Sequence, residues 1–158
     1  HIPPSLRGWP VVDDHILHII IRGHGGEDQV ADVFATLATY AGHPAFWKIL
    51  KTRGTARHLI LSFARIDGGW AVFDVRNGFA FTMSDGAFAT PQALAADLAL
   101  VRATAGAFQF GDGPYERYFT SLASLRVPRT LRAQLQMPWP RLWYEVRCLF
   151  GWERRDGA

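Results

Sequence analysis

Cysteine is almost missing from this chain, with Cys148 alone among 158 residues. A single thiol excludes an internal disulfide and any cluster of thiolate metal ligands. Long apolar runs are missing as well, since no stretch approaches the roughly 20 residues that a bilayer-spanning helix needs. Internal repeats and low-complexity tracts are absent, which removes solenoid and tail-like architectures. With neither a signal-peptide pattern nor a disulfide framework, a reducing, cytoplasmic setting is expected. The abrupt opening His1-Ile2-Pro3-Pro4 suggests that a tag or an upstream segment has been removed. Charge of one sign is scarce too: the formal net charge is +3, and the arginine surplus gathers after Val127. Arg53, Arg57, Arg126, Arg129 and Arg132 have aromatics nearby, but no recognised nucleic-acid module accompanies them, so solvated arginines are expected and a nucleic-acid partner is not.

What the chain does have is apolar material, 49% of its residues, enough for one domain with a proper core. We expect a single domain over 1–158. It is organised around Gly25-Gly26-Glu27-Asp28-Gln29 and the helix that this stretch opens, Val30 through Gly42. Val30, Val33, Phe34, Leu37, Ala38 and Ala41 recur at helical spacing and define the expected buried face, with Asp32, Thr36 and Thr39 turned elsewhere. Two carboxylates stand in the first turn, where unpaired N–H groups and the positive end of the helix dipole favour negative charge. Gly42 and Pro44 stop the helix.

Upstream, Asp13 and Asp14 precede His15-Ile16-Leu17-His18-Ile19-Ile20-Ile21-Arg22, read as a helix although its isoleucine run also suits a strand. His15, His18 and His24 have spacings open to metal ligation. No carboxylate or cysteine completes a recognised set, so solvent-facing or hydrogen-bonded histidines are expected and no metal or cofactor is implied.

Downstream, Ala45–Leu50 has strand composition, and Arg57–Ile66 is the strongest strand of the chain. Asp67-Gly68-Gly69 reads as a hairpin loop, Trp70–Val75 as the returning strand, Asn77-Gly78 as a turn and Phe79–Met83 as a fourth strand. Thr90-Pro91 opens a helix that carries Leu94, Leu98 and Val101 on one face and ends at Gly106. Phe108–Ser124 reads as an aromatic, glycine-rich loop with a short helical piece, and Pro128–Gln136 as helical. Pro138-Trp139-Pro140 is expected to interrupt the chain before a last basic, aromatic helix, Leu142–Trp152. That helix has the composition of one that lies on a membrane surface or a partner. The plainer expectation is that its Leu142, Val146 and Leu149 face docks on its own domain.

A glycine-led turn into a buried helix, a strand opened by His58 and a hairpin partner carrying Asp74 resemble the core of the transglutaminase-like superfamily, whose fold is papain-like. The matching stretches are Gly25-Gly26-Glu27-Asp28-Gln29, Gly42-His43-Pro44-Ala45, His58-Leu59-Ile60 and Gly69-Trp70-Ala71-Val72-Phe73-Asp74. They cover about 16–77, leaving about 90–155 as a C-terminal helical extension. The resemblance implies an α+β fold with a core helix packed on an antiparallel sheet. It also implies a site formed by the helix start, His58 and Asp74, the last holding the imidazole tautomer.

At one position the pattern breaks: Glu27 stands where the family carries its nucleophilic cysteine, and Cys148 lies far away in the chain. A carboxylate is a poor acyl acceptor, so thiol-dependent transglutaminase or cysteine-protease activity is not expected. With a three-residue loop at Asp67-Gly68-Gly69, His58 and Asp74 project from the same face of the hairpin, and His58 falls opposite Gly78, four residues beyond Asp74. A bulge or bend is then needed to bring the pair together, and Asn77 is the nearest substitute orienter. Two functions follow. One is a binding or accessory pseudoenzyme that uses the cleft for a peptide, acyl or sugar-bearing partner. The other is an enzyme using Glu27 and His58, oriented by Asp74, for acid/base chemistry without a thioester.

Overall fold

The computed structural model describes residues 16–52, 57–111, 113–128, 131, 133 and 138–150. The fold is α+β. Helices α1 (Ile16–Arg22) and α2 (Glu27–Tyr40) lead into a four-stranded antiparallel sheet of β1 (Ala45–Lys51), β2 (His58–Ile66), β3 (Gly69–Asp74) and β4 (Phe79–Ala80), in spatial order β1-β2-β3-β4. Helices α3 (Pro91–Ala96) and α4 (Leu98–Ala105) follow, then a small hairpin of β5 (Gln109–Phe110) and β6 (Gly113–Pro114). A ten-residue 3₁₀ helix (Tyr115–Ser124) and α5 (Pro138–Leu149) complete the described elements.

β2 is buried on both faces, with every residue from Leu59 to Ala64 inside. Its two faces meet different partners. Leu59, Leu61 and Phe63 join Phe46, Val72 and Phe81 in an aromatic core with Leu94, Val101, Tyr115, Tyr118, Phe119 and Leu122. On the opposite face Ala45 and Ala64 pack with Ala35, against which Phe34, Ala38, Trp47 and Phe73 close. Small side chains let the α2 backbone approach the strands, whereas large rings fill the thicker layer beneath α3, α4 and the 3₁₀ helix.

The buried side of α2 differs from the expected one. Asp32, Thr36 and Thr39 are buried, and Leu37 is 52% exposed. Two of the three polar side chains have partners: Trp47 Nε1 donates to Asp32 Oδ1 at 3.1 Å, and Thr39 Oγ1 donates to the Ala35 carbonyl at 2.8 Å, whereas the buried Thr36 hydroxyl makes no hydrogen bond among the described residues. Apolar periodicity alone misreads a helix whose polar side chains carry such partners.

Other boundaries shift for similar reasons. Asp97 ends α3 in extended conformation, and its carboxylate caps α4 through Ala99 N at 2.9 Å, so one expected helix becomes two. The expected loop over Phe108–Ser124 contains the β5–β6 hairpin and the 3₁₀ helix. Pro138 and Pro140 begin α5 instead of interrupting the chain before it, because the first turn has no intrahelical bond for a proline to remove. Of Pro128–Gln136, Pro128, Leu131 and Ala133 are not helical, and 129–130, 132 and 134–136 lie outside the described residues. No helix among the described residues is long and apolar enough to cross a membrane.

Candidate functional site

α2 begins at Glu27, three residues before the expected start, with Gly26 as its N-cap. The Gly26 amide donates to Gln29 Oε1 at 3.0 Å, and Arg22 Nη2 reaches the same oxygen at 3.3 Å, so the turn from α1 into α2 is braced from both sides. Gly25 is buried there, and a Cβ on it would stand 3.0 Å from Gln29 Oε1 and 3.2 Å from Ile19 Cγ2. The close packing fixes Glu27 at the helix end.

Glu27 and His58 line one cleft of about 410 Å³ together with Arg57, Arg76 and Phe110. Arg76 Nε lies 3.6 Å from Glu27 Oε1, with both side chains partly exposed. The helix N-terminus and the guanidinium thus face the same carboxylate. Two of the three expected site residues therefore share a cavity.

Asp74 does not join them. The expected three-residue hairpin loop is a two-residue one, Asp67-Gly68, with φ of 49° and 81° and the pair Ile66↔Gly69 closing the ladder. Both central residues take left-handed conformations, the type I′ geometry that suits a twisted hairpin and favours Asp-Gly. A register moved by one residue exchanges the faces of the returning strand relative to β2. Ser62 now pairs Phe73 and Phe63 pairs Val72. Counting from these pairs, Asp74 shares the Phe63 and Val72 face, whereas His58 shares the Ile60, Ser62 and Ala64 face. The expectation that His58 and Asp74 project from one face is corrected by this turn.

The buried Asp74 carboxylate is consumed by other groups. Asn77 N donates to Oδ1 at 3.0 Å, while Asn77 Nδ2 and the Tyr115 hydroxyl donate to Oδ2 at 2.8 and 2.5 Å. Burial first, and then the Asp74 charge and the hydrogen bond to it, push the Tyr115 phenol far above its ordinary range. Tyr115 is therefore a fixed donor, and Asp74 is held by neutral groups. Asn77, expected as a substitute orienter of the histidine, binds the aspartate instead. No hydrogen bond to the His58 ring occurs among the described residues.

The 3₁₀ helix supports both sides of the cleft mouth. Tyr115 clamps the turn that carries Arg76, and Tyr118 donates through its hydroxyl to the Arg57 carbonyl at 3.3 Å, just before His58. Arg76, Tyr115 and Phe110 were not among the residues expected at the site. The aromatic, glycine-rich character of 108–124 hinted at Phe110 and Tyr115, and no pattern in the sequence singled out Arg76. Among the described residues no group of His, Cys, Asp or Glu is arranged to hold a metal ion, and His15 lies outside them. Comparison with protein-family models, curated protein sequences and solved structures finds no match for this chain.

Proposed function

We propose that this chain is a transglutaminase-like domain in which the ancestral cleft binds without cleaving, acting as a binding or accessory protein for a peptide, acyl or sugar-bearing partner. The observation that carries this reading is the division of the expected triad. Glu27 is ion-paired with Arg76 inside the cleft, and Asp74 is locked to Tyr115 and Asn77 on the other face of the sheet. A nucleophilic mechanism of the family type needs a thiol, a base and a group that orients the base. Here the thiol position holds a carboxylate and the orienting carboxylate serves a turn. What persists is a concave, polar surface with an aromatic wall, Phe110, and side chains of both signs, features that suit recognition.

The second reading, acid/base catalysis by Glu27 and His58, rests on their presence in one cleft. The two readings separate in one experiment. The full chain is titrated calorimetrically with panels of short peptides, acyl amides and oligosaccharides, and any binder is incubated and checked for conversion by mass spectrometry. Binding without product is expected, weakened by Arg76→Glu. Product formation that Glu27→Gln abolishes would replace the binding reading with the catalytic one. The architecture has its own probe in Glu27→Cys. A thiolate at the start of α2, in the cleft that His58 also lines, should react with iodoacetamide well before Cys148 does, and an inert thiol would remove the transglutaminase-like reading.

A further inference from the structure

The C-terminal helix departs most from expectation. Its Leu142, Val146 and Leu149 face was expected against the domain, yet Leu142 and Leu149 are 55% and 80% exposed, as are Trp139 at 79% and Trp143 at 59%. Of the described side chains on α5, only Val146 and Arg147 are half-buried. The exposed residues are ordered. Trp139, Leu142, Trp143 and Leu149 follow helical spacing around the half-buried Val146, and Phe150, whose amide donates to the Val146 carbonyl at 3.1 Å, extends the row. Such an apolar stripe is unfavourable in water unless something covers it.

Charge selects the cover. Between Arg126 and Arg147 there are five arginines and one glutamate, while the rest of the chain holds twelve basic and thirteen acidic residues. The net positive charge of the protein therefore sits in the segment that carries the stripe. α5 itself carries Arg141 and Arg147 against Glu145 alone, so pairing two copies through it would bring like net charge together, an arrangement that electrostatics opposes. An anionic lipid surface satisfies both features. Tryptophan favours the boundary between headgroups and acyl chains, leucine and phenylalanine favour the layer just below it, and arginine favours the phosphates. A 12-residue helix is about 18 Å long, too short to span a bilayer and suited to lying along one.

We infer that α5 is a membrane-surface helix that seats the Trp139, Leu142, Trp143 and Leu149 stripe in the interface of an anionic phospholipid bilayer. It would bring the cleft to a membrane-borne partner without committing the domain to insertion. The test is co-sedimentation of the full chain with vesicles of phosphatidylcholine alone and of phosphatidylcholine mixed with phosphatidylglycerol, at low and high salt. Partitioning should require the anionic lipid and fall several-fold as salt rises. The double variant Leu142→Glu, Leu149→Glu should lower the partition coefficient by about tenfold or more, with thermal unfolding unchanged because both positions are exposed. Equal behaviour with both lipid mixtures, or full partitioning by the double variant, would overturn the assignment. So would a concentration-dependent dimer of the wild type that the same variant dissolves, since the stripe would then be a self-association surface.

Discussion

The two faces of the central sheet treat a carboxylate in opposite ways. On the α2 face Glu27 keeps 42% of its side chain exposed and meets the Arg76 guanidinium at 3.6 Å in an open cleft. On the aromatic face Asp74 is fully buried and receives three hydrogen bonds from neutral donors. An exposed ion pair has a modest net energy and breaks easily, so Glu27 is available to a ligand. A sealed carboxylate with all its donors supplied cannot leave without orphaning them, so Asp74 belongs to the framework. The framework acts on the cleft even so: by holding Asn77 it shapes the turn from which Arg76 reaches Glu27.

The strongest way to break this contrast is Asp74→Ala. It leaves the Tyr115 hydroxyl and the Asn77 donors without their acceptor, and the loss should be about 3 kcal/mol or more of unfolding free energy, read from urea titrations. A loss below about 1 kcal/mol would mean that the fold does not depend on Asp74 and that it is not framework. Next in size is Tyr115→Phe, which removes one donor to a charged group and should cost about 1.5–3 kcal/mol. That variant also carries a pH signature. The folded phenol holds its proton well above its usual value of 10.0, whereas the unfolded chain releases it near that value. Above about pH 10 the native state therefore binds more protons than the unfolded one, and stability falls as pH rises. The wild type should lose about 1.4 kcal/mol more per pH unit in that region than Tyr115→Phe does. Parallel slopes for the two proteins would show that Tyr115 ionises freely in the fold.

Much of this architecture was legible in the residues, and the part that was not follows one cause. Strand composition in Ala45–Leu50 and Arg57–Ile66, the glycine stop at Gly42 and the acidic helix start all act locally, so the sequence carries them directly. The faces of the hairpin depend on a single residue of loop length. Asp67-Gly68-Gly69 reads equally well as a three-residue loop, and only the preference of Asp-Gly for two successive left-handed residues distinguishes the shorter turn. That one step moved Asp74 across the sheet. Tyr115 is separated from Asp74 by 41 residues, and no local pattern announces such a pair. The exposed stripe of α5 was likewise visible as amphipathic spacing, but whether its apolar side meets the domain or solvent depends on contacts far along the chain.

The smallest expected effect sharpens the contrast most. Glu27→Gln removes the charge that faces Arg76 while keeping the shape of the side chain. Because both partners are partly exposed, solvent and ions already screen most of their attraction. The variant should change unfolding free energy by less than about 1 kcal/mol, and the difference should shrink further when salt is added. A cycle with Arg76→Gln isolates the pair, and its coupling should fall in the same small range. If Glu27→Gln instead cost as much as Asp74→Ala, the cleft carboxylate would be framework like the buried one. A ligand could then not displace Arg76 from it without unfolding the start of α2, and the cleft would have no exchangeable contact with which to bind anything.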